Sequence, residues 1–195
     1  MSAILKPFLT PQQYLAQERK AEFRSEYYKG EVFAMAGATL NHTLIKDNLA
    51  GETRNELKGR NCHVLTSDMR LLVSPTGLYT YPDIAIVCDQ PQFEDDVLDT
   101  LLNPRIVIEV LSESTEKYDR GTKFEQYCEI KTLQEYILVS QVAPSIERFV
   151  RQPDGSWLLT AFRGLQNTFE YASIPVKIAL AEIYSQVEFP EKPYR

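Results

Sequence analysis

Apolar positions along this chain fall into two spacings, helical stripes and short strand-like runs. Thr10 and Pro11 open a predicted helix over 12–23. The threonine is its N-cap, the proline takes the first helical position, and Tyr14, Leu15 and Ala21 form its apolar face. Residues 26–36 read as a hairpin turning at Lys29-Gly30, with Tyr27, Val32 and Phe33 as strand formers. A second helix is predicted over 41–57, capped by Asn41, with Leu40, Leu44, Ile45 and Leu49 in its stripe. Short strands follow at 62–65 and 69–73 around Ser67-Asp68, and Pro75-Thr76-Gly77 marks a turn.

Two later runs depart from half-buried alternation. Ile84 to Val87 and Ile106 to Leu111 are apolar on both faces, as expected of strands inside a sheet covered on both sides. An acidic connection, 89–103, lies between them. It carries Glu94, Asp95, Asp96 and Asp99, reads as a solvated loop, and is expected to hold a short helix around 93–101. A third helix spans 112–130, capped by Ser114 or Thr115, with Phe124, Tyr127 and Ile130 facing the core. A strand at 136–140 follows. A hairpin then runs through 146–151 and 157–163 around Pro153-Asp154-Gly155-Ser156, and a last strand and short helix lie within 174–183. The order predicts a mixed α/β fold, a central β-sheet flanked by helices with β-hairpins at its edges. One domain over 1–195 is expected, with a core of about 10–150 and a C-terminal hairpin and tail over 146–195.

Composition narrows the function classes. Hydrophobic residues make 44% of the chain and charged residues 25%, the balance of a soluble globular protein. The apolar runs are strand-sized, so no membrane span is expected, and the proline-broken N-terminus does not read as a signal peptide. Cys62, Cys88 and Cys128 are odd in number and far apart, which favours reduced thiols and a cytoplasmic location. His42 and His63 lie too far apart for a usual zinc site, and no phosphate-cradling Gly-rich loop or nucleophile elbow is present. A net charge of −6 argues against coating nucleic acid through the overall field, but a metal ion can supply local positive charge toward phosphate.

The chemistry concentrates on the two doubly apolar strands. Glu109 sits inside one, where an ionised carboxylate must be neutral, paired or bound to a cation. Asp83 precedes the other. If the strands are neighbours, both carboxylates converge, an oxygen donor set suited to Mg²⁺ or Mn²⁺. Lys123, on the following helix, can reach that point and stabilise charge on a phosphate. Plainer readings stand beside these. Tyr-Pro-Asp is commonly a turn, Lys123 and Asp119 are spaced for a surface ion pair, and Arg70 or Arg105 would serve as a structural partner for Glu109.

Several stretches together resemble the PD-(D/E)xK nuclease superfamily and, within it, the bacterial Uma-two family of endonucleases. They are Ser-Glu-Tyr-Tyr-Lys-Gly-Glu-Val-Phe-Ala-Met-Ala-Gly (25–37), Asn-His-Thr-Leu-Ile (41–45), Tyr-Pro-Asp-Ile-Ala-Ile-Val (81–87), Ile-Glu-Val-Leu-Ser (108–112), Tyr-Asp-Arg-Gly-Thr-Lys-Phe-Glu-Gln-Tyr (118–127) and Glu-Tyr-Ile-Leu-Val (135–139). The resemblance runs from about residue 10 to 150. It implies a restriction-endonuclease-like fold and a Mg²⁺- or Mn²⁺-dependent endonuclease acting on DNA, with Asp83 and Glu109 as metal-binding acids. The superfamily's lysine is expected two residues after Glu109, where Leu111 stands, so the resemblance assigns that role to Lys123. Ser112-Glu113 also departs from the Ser-Pro frequent in this branch.

Glu26 matches a position where the superfamily often places a further acid, and a solvent-facing hairpin residue is the equal alternative. His42 is expected to cap or pack a helix rather than to contact phosphate or water. Asp68 either lines the cleft or serves a turn. A homodimer would match two cleavage sites to two strands. The aromatic hairpin with Phe149, Trp157 and Phe162 is either its interface or a second layer of the core. The competing function is a nuclease-like fold that no longer cuts and serves as a binding module.

Overall fold

A computed structural model describes residues 8–190. Residues 1–7, the stretch not expected to be a signal peptide, lie outside the described residues. Helix α1 (Pro11–Glu18) begins as predicted. Thr10 accepts a hydrogen bond from the Gln13 amide, and the Gln13 side chain accepts one from the Thr10 amide. The helix ends five residues earlier than its apolar pattern suggested, because Glu18 turns inward and accepts from the Ser25 amide and hydroxyl and from Tyr81. Strands β1 (Ser25–Tyr28) and β2 (Glu31–Ala34) form the expected hairpin. Its turn needs left-handed backbone at both Lys29, φ 48°, and Gly30, φ 89°.

Helix α2 (Leu40–Glu56) is capped by Thr39, not Asn41. That shift turns Leu40 outward, 73% exposed, while Ile45 and Leu49 are buried as expected and Ala50 and Thr53 join them. Strands β3 (Cys62–Thr66), β4 (Arg70–Val73), β5 (Leu78–Thr80) and β6 (Ile84–Cys88) follow. The acidic connection holds no helix. Phe93 bridges Leu101 and β7 (Thr100–Leu101) pairs parallel to β4, while Asp95 and Asp99 bind Arg19 at 2.7 and 2.8 Å rather than standing free in solvent.

Strand β8 (Ile106–Leu111) is buried at every position. It runs antiparallel to β6 and parallel to β9 (Glu135–Ser140), within the order β11-β10-β9-β8-β6-β3. Its alternate residues feed two cores, as double-sided burial requires. Ile106, Ile108 and Val110 pack with Ile45 and Leu49 of α2 and with the C-terminal segment; Val107 and Leu111 pack with Leu71, Tyr127 and Tyr136. A second sheet, β2-β1-β5-β4-β7, adjoins through the Tyr81–Asp83 link.

The predicted third helix is three pieces: α3 (Glu116–Tyr118), a π-turn (Asp119–Lys123) and α4 (Phe124–Cys128). The hairpin of β10 (Ser145–Arg151) and β11 (Trp157–Arg163) packs Phe149 and Trp157 on Phe124, and Phe162 on Phe169, so these aromatics form a second core layer. Strands β12 (Thr168–Glu170) and β13 (Lys177–Ala179) and helix α5 (Leu180–Ile183) complete the chain. Cys62 and Cys88 face each other in register on β3 and β6 and are joined by a disulfide, which corrects the expectation of reduced thiols; Cys128 alone stays free.

Candidate active site

The β6–β8 ladder fixes the two acids opposite each other. Ile84 pairs with Ile108, so Asp83 and Glu109 stand at the next opposed position, where the ladder opens. The backbone locks them. The Asp83 amide donates to Glu109 Oε2 at 3.3 Å, and the Val110 amide donates to Asp83 Oδ2 at 2.8 Å. Both side chains lie on the face that carries Val107 and Leu111, one residue out of phase with the face packed on α2.

Lys123 reaches this point from the π-turn. Its ammonium is 2.9 Å from Glu109 Oε1, 3.3 Å from Glu26 and 3.6 Å from Asp119. The lysine and Glu109 are only 6% and 4% exposed. A π-turn inside a helix is rare and frequently marks functional sites. Here it carries Asp119 and Lys123, both buried, toward the strands. The two are therefore no surface ion pair, and neither Arg70 nor Arg105 is Glu109's partner. Tyr127 donates to Glu109 Oε1 at 2.8 Å, beside the ammonium.

Glu26 resolves its alternatives inward. It is held on β1 by the Thr80 hydroxyl, which donates to it, and by Lys123. His42 does more than cap or pack: the Thr39 cap places it on the first turn of α2, with Nε2 3.1 Å from Asp83 Oδ2. Its Nδ1 is buried without a hydrogen-bond partner among the described residues. Asp68 stands apart, on the surface, paired with Arg24. Asp119, Thr80 and Tyr127 were missed from the sequence. Their signal is weak, since a helical aspartate four residues before a lysine reads the same whether buried or exposed.

The electrostatics are lopsided. Glu26, Glu109 and Asp119 surround one ammonium, and Asp83 lies beside them against His42. Burial pushes the Glu109 carboxyl up, to about 8; Lys123 opposes the shift, and Asp119 and Asp83 add to it. Burial also raises Asp119, against the pull of Lys123. For Lys123 burial acts the other way, and Glu109, Glu26 and Asp119 outweigh it, holding the amine protonated well above its usual range. These directions agree physically. One cation shared among several carboxylates is over-supported, while each carboxylate is under-supported.

Among the described residues no three His, Cys, Asp or Glu side chains close on a common point as metal ligands. The carboxylates close on the Lys123 ammonium instead. The donor set still fits a hard divalent cation. It is all oxygen, it carries surplus buried negative charge, and Mg²⁺ needs only one or two protein carboxylates when substrate phosphate completes its shell. No described helix is long and apolar enough to cross a membrane.

Comparison with known proteins gives the family and the fold. The Uma2 family model, described as "Putative restriction endonuclease", matches residues 11–181. Two uncharacterized proteins of Synechocystis sp. are similar over most of their lengths. The protein slr1290 is 35% identical over 94% of this chain and 95% of its own, and sll1609 is 34% identical over 86% and 95%. A crystal structure titled as a "putative nuclease belonging to DUF820" from Anabaena variabilis superposes with a TM-score of 0.75, at 16% identity, covering 92% of this chain and 99% of that one. At that identity the likeness speaks for the fold.

Proposed function

The chain belongs to the Uma2 family, and from that premise we propose that it is a Mg²⁺- or Mn²⁺-dependent endonuclease cutting phosphodiester bonds in DNA. One observation carries the reading: Asp83 and Glu109 face each other across β6 and β8 with the Lys123 ammonium 2.9 Å from Glu109, and Glu109 and Lys123 are buried. Asp83 and Glu109 would hold the ion. When bound, it supplies Lewis-acid polarisation of the phosphate and a hydroxide-like nucleophile near neutral pH.

The chain's own groups have separable tasks. His42 Nε2 and the Val110 amide fix the Asp83 carboxylate. Tyr127 fixes Glu109. Lys123, protonated and oriented by Glu26 and Asp119, donates toward the non-bridging phosphate oxygens as charge builds there. The apolar residues flanking Glu109 lower the local dielectric, which strengthens each of these interactions.

The test is cleavage of supercoiled plasmid and of oligonucleotides with Mg²⁺, with Mn²⁺ and with chelator, by the wild type and Asp83→Asn. Metal-dependent nicking lost in the variant supports the reading. Equal cutting by both proteins sinks it. Leu111, buried where the superfamily places its lysine, favours a second reading, a non-cutting module that binds DNA or protein. Such a module gives no thermal shift with Mg²⁺ or Mn²⁺, whereas a site that binds the ion is stabilised by mass action.

A further inference from the structure

Glu109 Oε1 already has two donors, the Lys123 ammonium at 2.9 Å and the Tyr127 hydroxyl at 2.8 Å. Its Oε2 faces the Asp83 amide at 3.3 Å. A cation entering between Asp83 and Glu109 thus meets a carboxylate oxygen already committed to Lys123. Two like charges cannot share that oxygen in a buried setting without large repulsion. The ammonium does have somewhere to go. Asp119 lies 3.6 Å from it on the same π-turn, and Glu26 lies 3.3 Å from it on β1.

We propose that Lys123 is a placeholder cation: its ion pair with Glu109 and the bound divalent ion exclude each other, and Asp119 with Glu26 receives the ammonium when the ion arrives. This rests on the metal-dependent reading above and adds a regulation of the same site. The metal-free protein keeps its buried carboxylates partly neutralised. Loading moves the lysine away from Glu109 and leaves it poised for the phosphate, so one event both fills the site and frees the carboxylate-paired cation. Asp119 becomes a positioning residue acting through Lys123.

The experiment is Mn²⁺ calorimetry on the wild type, Lys123→Met and Glu109→Gln, with Mg²⁺ titration of the wild type followed by NMR of the lysine ¹⁵Nζ signals. Lys123→Met should bind Mn²⁺ about tenfold tighter or more, because a full positive charge within a few ångströms is gone. The Lys123 Nζ signal of the wild type should move in step with Mg²⁺ occupancy, a readout that needs no variant to fold. Equal or weaker Mn²⁺ binding by a folded Lys123→Met, or an unmoved Nζ signal at saturating Mg²⁺, overturns the placeholder. If the wild type binds Mn²⁺ and Glu109→Gln does not, the metal reading survives that failure. Absence of binding in the wild type and in Lys123→Met overturns both.

Discussion

Two of the buried polar clusters among the described residues are built on opposite principles. One joins α1 to the smaller sheet. Arg70 donates to the Tyr81 hydroxyl at 2.9 Å and to Thr100 at 3.1 Å, and Tyr81 donates to Glu18 at 2.9 Å. It contains one buried carboxylate, Glu18, which accepts three hydrogen bonds, and one buried guanidinium, Arg70, which also pairs with Asp99 at 3.7 Å. The other, at the end of the β6–β8 ladder, sets three carboxylates around one lysine, with a fourth, Asp83, held against His42. Charge balance is what a structural network needs, since an unpaired buried charge is strongly destabilising. Imbalance persists where something outside the chain completes the set, which is why strongly perturbed acids point to function.

The sharpest contrast comes from neutralising one acid in the unbalanced cluster. Glu109→Gln should lower DNA cleavage by at least about a hundredfold, the scale of losing a preorganised electrostatic partner in a reacting centre. Thermal unfolding in chelator above about pH 8 should change little or improve, because the negative charge that Glu109 carries there is removed. A large drop in melting temperature together with retained cleavage would reverse the assignment of roles.

The mirror experiment belongs to the balanced cluster. Arg70→Met should cost about 3 kcal/mol of stability, since it strips partners from Tyr81 and Thr100 and removes the guanidinium 3.7 Å from Asp99. Mn²⁺ affinity of the folded fraction should be unchanged. Denaturant unfolding beside calorimetry reads both quantities, and a shifted affinity would mean the clusters are coupled through Tyr81 and the short link to Asp83.

A smaller effect comes from pH. Glu109 has an ordinary value of 4.5 and is pushed up to about 8 in the fold, so the native state holds a proton that the unfolded chain releases. Stability from this group is therefore full below about 4.5 and is lost as pH rises through about 8. In chelator, the wild type should lose stability across that window relative to Glu109→Gln. Parallel curves for the two proteins would remove Glu109 as the titrating group.

Much of this was legible from residue order, for a physical reason. A carboxylate inside a strand that is apolar on both faces has no cheap explanation, so Glu109 stood out, and Asp83 followed as the acid leading into the other such strand. Lys123 followed from the helix that must return over the sheet. What the sequence hid were partners decided by three-dimensional register. Asp119 looked like half of an exposed helical ion pair until the π-turn buried it. Glu18 and Arg70 are 52 residues apart and meet only through Tyr81. Cys62 and Cys88 become partners only once β3 and β6 align. The run around 93–101 looked helical because its apolar spacing suits a turn as well as a bridge, and Phe93 meeting Leu101 decided it.

The finest test compares the two helix caps, since each serves a different cluster. Thr10 caps α1, whose last residue, Glu18, anchors the balanced network. Thr39 caps α2, whose first turn carries His42 to Asp83. Thr10→Ala and Thr39→Ala should each cost about 1 kcal/mol, the usual worth of a side-chain cap. Their effects on cleavage should differ. Losing the Thr39 hydroxyl frees the His42 amide it accepts from at 3.2 Å, and also its contact to Gln141 at 2.8 Å, so the imidazole drifts from Asp83. Such misplacement should lower the rate roughly tenfold. Thr10→Ala should leave the rate unchanged, because nothing on α1 touches the acids at the ladder's end. Initial rates at a temperature where both variants stay folded separate the two. Equal rates in both would mean that Asp83 is held by the Val110 amide alone and that His42 is a bystander to the chemistry.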